Sequence, residues 1–128
     1  MPITEDQVKN AIATWLKHGD FDVAPPRLGM RRGFDVEALN SKPGKRLVVE
    51  CKGETEAANQ WDRAWRNVSY ALFNAIKQTE NPQNRDDVAV ALPDTRNYRE
   101  RMDGLQAFCA RQKIAVYWVS EGGGVQPW

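Results

Sequence analysis

The strand predicted over residues 46–52 is apolar through its middle and ends with two charged residues, Glu50 and Lys52. Because side chains alternate along a strand, these two lie on the same face. Asp35 lies on the preceding predicted strand, and the turn-rich segment between the two strands forms a hairpin that places it beside them. The pattern therefore predicts a compact site with two carboxylates and one ammonium group.

Such a site has a definite chemistry. Two neighbouring carboxylates repel each other, and a hard divalent cation such as Mg²⁺ relieves the repulsion while keeping several waters for a substrate phosphate. The bound ion lowers the pKa of its water and neutralises charge on a phosphoryl group. Lys52 then orients the attacking water or stabilises the transition state. The alternative is a simple surface ion pair between Glu50 and Lys52, worth about 0–1 kcal/mol.

Composition limits the other classes of site. The 128 residues carry 18 Lys and Arg against 17 Asp and Glu, and a net charge of +1 predicts no general affinity for nucleic acid. Two cysteines make no four-cysteine zinc site, and a single histidine excludes His-rich metal centres. The apolar runs are far shorter than a membrane span of about 20 residues. The polar N-terminus has no signal-peptide core, so we expect a cytoplasmic protein without a membrane segment.

Hydrophobic periodicity predicts a single domain over residues 1–128. Helices are expected over 5–18, 56–78 and 94–112, the first capped by Thr4 and the last by Asp94. Strands are expected over 21–24, 34–39, 46–52, 88–92 and 114–119, with a turn at 121–124 before a short tail. The predicted order, αβββαβαβ, is that of an α/β sandwich with a mixed sheet.

Two segments resemble those of a known nuclease superfamily. The sequence GFDV at 33–36 is preceded by Arg31 and Arg32 and followed by VECKG at 49–53. These segments resemble the RxGxDV and VExK segments of the PD-(D/E)xK superfamily, whose small members include archaeal-type Holliday junction resolvases and restriction-endonuclease-like proteins. The resemblance runs from the first predicted helix through the second. It implies a restriction-endonuclease-like three-layer sandwich with a mixed central sheet.

The resemblance also implies an activity. The chain would be a metal-dependent endonuclease that hydrolyses DNA phosphodiester bonds with little sequence specificity, using Mg²⁺ or, in its place, Mn²⁺. Asp35 and Glu50 would bind the metal, together with the backbone carbonyl of Cys51, and Lys52 would be the catalytic lysine. Whether the substrate is duplex, branched, single-stranded or RNA stays open, and a homodimer is the expected assembly.

Two auxiliary residues follow from the same resemblance. Members of the superfamily commonly add an acidic ligand from the first helix, for which Glu5 is the candidate and Asp6 the fallback. Some subgroups place a glutamine on the helix after the lysine, and Gln60 is the candidate for that position. Two other functions remain open: a catalytically silent nucleic-acid-binding or assembly subunit on the same fold, and a plain protein-interaction module.

Basic residues that flank the site are the candidates for contact with DNA phosphates, although a solvated loop is the alternative for the first three: Arg27, Arg31, Arg32, Arg63 and Arg66. Glu37 is expected to pair with Arg46 or Lys45 rather than to join the site. Trp61 and Trp65 share a helical stripe with other apolar residues, which predicts that they belong to the core. Base stacking is the alternative for these tryptophans.

Overall fold

The computed structural model describes residues 2–29, 33–40 and 44–128, which form six strands and four helices. In chain order these are α1 (Glu5–His18), β1 (Phe21–Val23), β2 (Val36–Asn40), β3 (Lys45–Cys51), α2 (Gln60–Glu80), β4 (Asp87–Pro93), α3 (Arg96–Met102), α4 (Gln106–Gln112), β5 (Ile114–Val119) and β6 (Val125–Pro127). The α/β class predicted from the sequence is confirmed.

All six strands belong to one mixed sheet whose spatial order is the chain order, β1-β2-β3-β4-β5-β6. Neighbours from β1 to β3 are antiparallel, neighbours from β3 to β5 are parallel, and β6 returns antiparallel along β5. Parallel neighbours need crossover connections, which α2 supplies after β3 and the pair α3 and α4 supplies after β4. The predicted hairpin of β2 and β3 therefore belongs to the same sheet as the parallel strands β4 and β5, and helices cover both faces of that sheet.

Helices cover both faces of the sheet, so the fold has three layers. On one face α1 packs through Val8, Ile12 and Leu16. On the other face α2, α3 and α4 bury a cluster that includes Val68 and Trp118. The near-continuous burial of β4 follows from its central place between these layers, because each of its faces contacts helices.

Helix α1 begins where the sequence predicts. The Thr4 hydroxyl accepts a hydrogen bond from the Gln7 N–H at 3.2 Å, and the Gln7 side chain accepts one from the Thr4 N–H at 2.9 Å. This capping box satisfies two donors at the helix start, and Glu5 and Asp6 add acidic charge where the helix dipole favours it. One charged residue, Lys9, lies among the buried residues of the helix.

The second half of the chain departs from the predicted order. The helix expected over 94–112 is two helices, because Asp103 leaves the helical conformation and Gly104, with a positive φ of +82°, completes a tight turn in which the Leu105 N–H donates to the Met102 carbonyl. Thr95, not Asp94, caps the first helix through its side chain. The residues after the turn at 121–124 form β6 instead of a free tail. The observed order is αβββαβααββ.

Helix α2 faces the sheet with only part of the stripe that the sequence predicts, since Val68 is buried and Leu72 and Ile76 pack against the core. Its buried residues are Ala64, Val68, Ala71 and Ala75. Trp61 and Trp65 are 42% and 59% exposed, so the prediction that they belong to the core is wrong. Small side chains let the helix lie close to the sheet, which leaves no room for indole rings beneath it. Among the helices of the described ranges, none is both long and apolar enough to cross a membrane.

Candidate active site

The pairing of β2 with β3 brings the predicted site residues together. Val36 pairs with Val49, so the preceding Asp35 lies across from Glu50 at the same end of the hairpin. The Asp35 side chain is buried, and its Oδ2 accepts a hydrogen bond from the Cys51 N–H at 2.7 Å. In this way Asp35 extends the β2–β3 ladder beyond the end of β2 through its side chain.

Lys52 and Glu50 are close neighbours on β3 and just after it. The Lys52 Nζ lies 3.7 Å from the Glu50 Oε1, and both side chains are largely shielded from solvent. Burial raises the pKa of Glu50 to about 7, the Asp35 and Glu5 carboxylates add to the rise, and the Lys52 ammonium opposes it. One carboxylate from α1 and one from the residue before β2 therefore act on Glu50 of β3.

The start of α1 crosses directly over the end of β3. A Cβ at Gly53 would lie 2.0 Å from the Glu5 backbone nitrogen, so only glycine fits at this crossing. The crossing is also hydrogen-bonded, since the Glu54 N–H donates to the Ile3 carbonyl at 2.7 Å and the Ile3 N–H donates to Glu54 Oε1 at 3.1 Å. This close approach brings the Glu5 side chain near Glu50.

Lys9 joins the site, and the sequence analysis missed it. Its side chain is 1% exposed, and its Nζ lies 3.3 Å from Asp35 Oδ1, 3.2 Å from Glu5 Oε2 and 3.7 Å from Asp6 Oδ1. Burial by itself lowers the pKa of Lys9, but the Asp35 and Glu5 carboxylates outweigh it and the pKa lies above its ordinary value. The ammonium also donates to the Arg27 carbonyl at 2.6 Å.

A signal for Lys9 was present in the sequence. It lies at helical spacing with the buried residues Ile12, Ala13 and Leu16, so a charged side chain occupies the apolar side of α1. A buried lysine needs a partner, and Glu5 precedes it by one helical turn. The fallback ligand Asp6 also contacts Lys9, but its side chain is more exposed than that of Glu5.

The donor chemistry of the site fits a hard cation with few protein ligands. Within residues 2–29, 33–40 and 44–128, no group of three or more His, Cys, Asp and Glu side chains could hold a metal ion. Mg²⁺ is typically bound through one or two carboxylates with waters completing its shell, and Asp35 and Glu50 are the two carboxylates that lie across from each other at this end of the hairpin. The N–H and C=O of one strand residue point to the same side, so the Cys51 carbonyl faces the Asp35 side of β3.

Glu50 also lines an open cleft of about 410 Å³ between the hairpin and α2. The other walls are formed by Gly33 and Phe34 on the hairpin side and by Asn74, Lys77, Gln78 and Asn81 at the end of α2. Amide groups and one ammonium group thus surround the carboxylate. A cleft of this composition offers hydrogen-bond donors to phosphate oxygens.

A buried tyrosine and a partly buried asparagine hold the strand end in place. The Tyr98 hydroxyl donates to the Gly53 carbonyl at 3.0 Å, and the Asn67 amide donates both to that carbonyl at 3.2 Å and to the Tyr98 oxygen at 2.8 Å. Tyr98 is on α3 and Asn67 on α2, so both helices anchor the residue that follows Lys52. No sequence pattern linked these residues to the site, because they come together only through the packing of the two helices.

The predicted auxiliary and DNA-contacting residues differ in the contacts that the structure describes for them. Arg31 and Arg32 lie outside the described residues. The Arg27 guanidinium contacts Glu37 Oε2 at 2.6 Å and donates to the Phe34 carbonyl at 2.8 Å, so it is engaged in holding the hairpin.

Glu37 also pairs with Arg46 at 2.8 Å, which confirms one of the two expected partners. The Gln60 amide donates to the carbonyls of Thr55 and Ala57, the latter at 2.9 Å, and so ties the loop before α2 rather than reaching Glu50. On α2, Arg66 is exposed and Arg63 is partly exposed.

The sequence was compared with protein families and with curated proteins. No protein-family model matches the sequence, and no curated protein matches it. The function is therefore argued from the geometry and chemistry of the residues described above.

Proposed function

We propose that this protein is a metal-dependent nuclease that hydrolyses DNA phosphodiester bonds at a site of the PD-(D/E)xK type. The observation that carries the proposal is the environment of Glu50, whose pKa is raised to about 7 by burial beside the Asp35 and Glu5 carboxylates. A protein that places like charges together in a cleft favours the binding of a cation there. Lys52 on the same strand end completes the set of groups that phosphodiester hydrolysis needs.

The arrangement of elements supports the same proposal. From α1 to β4 the order is αβββαβ, which is the order of the superfamily core that the two sequence segments resemble. The acidic residue of the first helix, the aspartate and the Glu-x-Lys segment all lie at one end of the β2–β3 hairpin. Their common location is what a shared catalytic function requires.

Each residue has a definite role in the proposed reaction. Asp35 and Glu50 would hold the ion together with the backbone carbonyl of Cys51, whereas Glu5, the tentative third ligand, pairs with Lys9 at 3.2 Å and is left out of the ligand set. Mg²⁺ bound there supplies a water of lowered pKa and neutralises charge on the phosphate. Lys52, whose side chain is 19% exposed, donates hydrogen bonds to the attacking water or to a phosphate oxygen.

Lys9 favours a second candidate function, a catalytically silent nucleic-acid-binding or assembly subunit on the same fold. Its ammonium contacts Glu5, Asp6 and Asp35 and so supplies a positive charge from within the chain. In this alternative Lys9 neutralises the carboxylates permanently and no divalent ion is needed. The two candidates therefore differ in whether Mg²⁺ binds.

The deciding experiment measures cleavage of four substrates: supercoiled plasmid, linear duplex, a four-way junction and a single strand. Each is incubated with Mg²⁺, Mn²⁺ or EDTA and with the native protein, Lys52→Ala or Lys45→Ala. Lys45 is the matched control, because it is an exposed lysine at the opposite end of the same strand, where it pairs with Asp87 at 2.9 Å. Isothermal titration with Mg²⁺ alone accompanies the assay.

We expect metal-dependent cleavage that is lost in Lys52→Ala and retained in Lys45→Ala. Cleavage that survives Lys52→Ala contradicts the assignment of Lys52. Salt-sensitive DNA binding without cleavage and without Mg²⁺ binding supports the silent subunit instead.

A further inference from the structure

Four exposed aromatic side chains are distributed along the solvent side of α2, and we term this set the aromatic face: Trp61, Trp65, Tyr70 and Phe73. Their exposed fractions range from 42% for Trp61 to 61% for Phe73. Among the described residues, Leu28 and Leu39 are the other large apolar side chains exposed to this degree. Concentrating such side chains on one helix marks a binding surface rather than random exposure.

Cations are interleaved with these rings. The Arg101 guanidinium lies 3.4 Å from the Trp61 ring centroid and 4.9 Å from that of Trp65, and Lys77 Nζ lies 5.6 Å from the Phe73 ring centroid.

Over residues 61–77, Arg63, Arg66 and Lys77 are accompanied by one acidic residue, Asp62. The face is therefore aromatic and basic at once, which is the composition of surfaces that bind single-stranded nucleic acid.

Lys77 connects this face with the candidate active site. Its ammonium contacts the Phe73 ring, and the same residue lines the cleft that contains Glu50. A chain of nucleotides laid along the outer side of α2 would therefore meet the cleft at Lys77.

We propose that the aromatic face binds a single-stranded polynucleotide, with bases stacked on its rings and phosphates paired with its arginine and lysine side chains. Binding at the face stands on the observations above. That the strand leads into the cleft as a substrate rests on the proposed nuclease function. DNA and RNA share the stacking bases and phosphates that this surface recognises, and the substrate assay distinguishes them.

A second copy of the chain is the competing occupant of this face. A twofold pairing of α2 with its counterpart would bring two sets of cations together, with Asp62 as the acidic residue that each helix offers between positions 61 and 77. Like charges across an interface oppose association. The charge of the face therefore favours a polyanion over a second copy.

The test measures the binding of a fluorescein-labelled oligothymidylate, an RNA oligouridylate and a DNA duplex of equal length by fluorescence anisotropy in EDTA, which separates binding from cleavage. The main variant is the double substitution Trp65→Ala with Phe73→Ala. A second double variant, Trp65→Phe with Phe73→Tyr, keeps the rings. Leu39→Ala is the matched control, because Leu39 is an exposed apolar side chain on β2, away from α2.

We expect the single strands to bind the native protein more tightly than the duplex, with partial quenching of tryptophan fluorescence. The double alanine variant should lose about tenfold or more in single-strand affinity, since each stacked base contributes substantially to binding. The ring-retaining variant and Leu39→Ala should bind as the native protein does. Circular dichroism checks that each variant is folded.

Two results would overturn the proposal. One is unchanged single-strand affinity in the double alanine variant. The other is a native dimer, seen by sedimentation equilibrium, that the same variant converts to monomer, which would assign the face to a second copy. Single-strand binding without any cleavage would leave this surface intact and reject the nuclease. If the native protein cleaves DNA and the double alanine variant binds single strands as tightly as the native protein, the aromatic face is rejected as the binding surface and the nuclease function is retained.

Discussion

Glu50 and Lys9 are opposite charges that are both withdrawn from solvent within one site. Burial raises the pKa of Glu50 and neighbouring carboxylates add to the rise, whereas for Lys9 the surrounding carboxylates outweigh the effect of burial and raise its pKa. For Glu50 this means that the charged form is disfavoured, and for Lys9 that it is favoured. The site therefore stabilises the positive charge of Lys9 and destabilises the negative charge of Glu50.

At this scale the first prediction concerns Glu50→Gln in EDTA. Between pH 4.5 and pH 7 the unfolded chain releases the Glu50 proton before the folded protein does, so the stability of the native protein falls as pH rises through this window. Glutamine has no proton to lose. We expect the variant to gain stability relative to the native protein by roughly 1–3 kcal/mol at pH 8 and by little at pH 4.

Urea denaturation at several pH values measures this difference. Glu56→Gln, on the exposed loop before α2, is the control substitution. A stability difference between Glu50→Gln and the native protein that does not change with pH would show that the folded state does not penalise the Glu50 charge.

The second prediction concerns Lys9→Met. Removing the ammonium leaves the buried Asp35 carboxylate without its ion pair, and such losses destabilise proteins by roughly 3–5 kcal/mol. Because the carboxylates are then less neutralised, Mg²⁺ should raise the melting temperature of the variant more than that of the native protein.

Thermal unfolding with and without Mg²⁺ measures the effect, with the exposed Lys17→Met on the same helix as control. Lys9→Arg retains the charge, so its melting temperature should respond to Mg²⁺ as that of the native protein does. If Mg²⁺ raised the melting temperatures of Lys9→Met and the native protein equally, Lys9 would have no effect on metal binding at the site.

At the scale of secondary-structure elements, the site depends on the crossing of α1 over the end of β3. The capping box sets where α1 begins, and Gly53 lets its first residues approach the strand closely. The Tyr98 hydroxyl and Asn67 amide then hold the Gly53 carbonyl from the opposite side. Three helices thus determine the position of the strand end that carries Glu50 and Lys52.

Gly53→Ala is the prediction that belongs to this scale. The added methyl group would meet backbone atoms of Thr4 and Glu5 at 2.0–2.4 Å, which no side-chain rotation can relieve. We expect a loss of roughly 3 kcal/mol or more in the free energy of unfolding, together with displacement of Glu5 from Glu50. Gly122→Ala is the control, because a methyl group there meets no atom within 4 Å. Equal stability of the two variants, measured by urea denaturation, would contradict the crossing.

At the scale of the whole molecule, the net charge of +1 provides little long-range attraction for nucleic acid. Binding must therefore come from local cations, and Arg63, Arg66, Lys77 and Arg101 are the group that lies along or beside the aromatic face. A modest number of phosphate contacts implies a modest dependence of affinity on salt.

We expect the logarithm of the affinity for oligothymidylate to fall with the logarithm of salt concentration with a slope between about −2 and −3, as three or four neutralised phosphates require. Arg66→Gln should reduce the steepness of that slope by about 0.7. Titrations at several salt concentrations measure it. A slope near zero would mean that stacking alone, or no defined surface, accounts for binding.

Much of this protein follows from its sequence alone. Three features are local properties: the position of Glu50 and Lys52 on one face of their strand, the hairpin, and the capping residue Thr4. They are local because side-chain direction and helix starts depend on near neighbours. The α/β class and the gathering of Asp35, Glu50 and Lys52 could be predicted for that reason. Gly104 was also a local signal that the third predicted helix is divided, although the apolar periodicity around it indicated one continuous helix.

Only the tertiary structure decided the rest. Trp61 and Trp65 have the spacing of core residues, but the buried side of a helix is settled by which side chains fit against the sheet, and the alanines of α2 fit more closely. Tyr98 and Asn67 reach the site from two different helices, and no local pattern relates positions so far apart in the chain. For Lys9 the local pattern indicates burial beside Glu5, but only the packing of α1 shows its contact with Asp35. The sequence alone thus determined which residues carry charge along each strand, while packing between elements determined which charges meet.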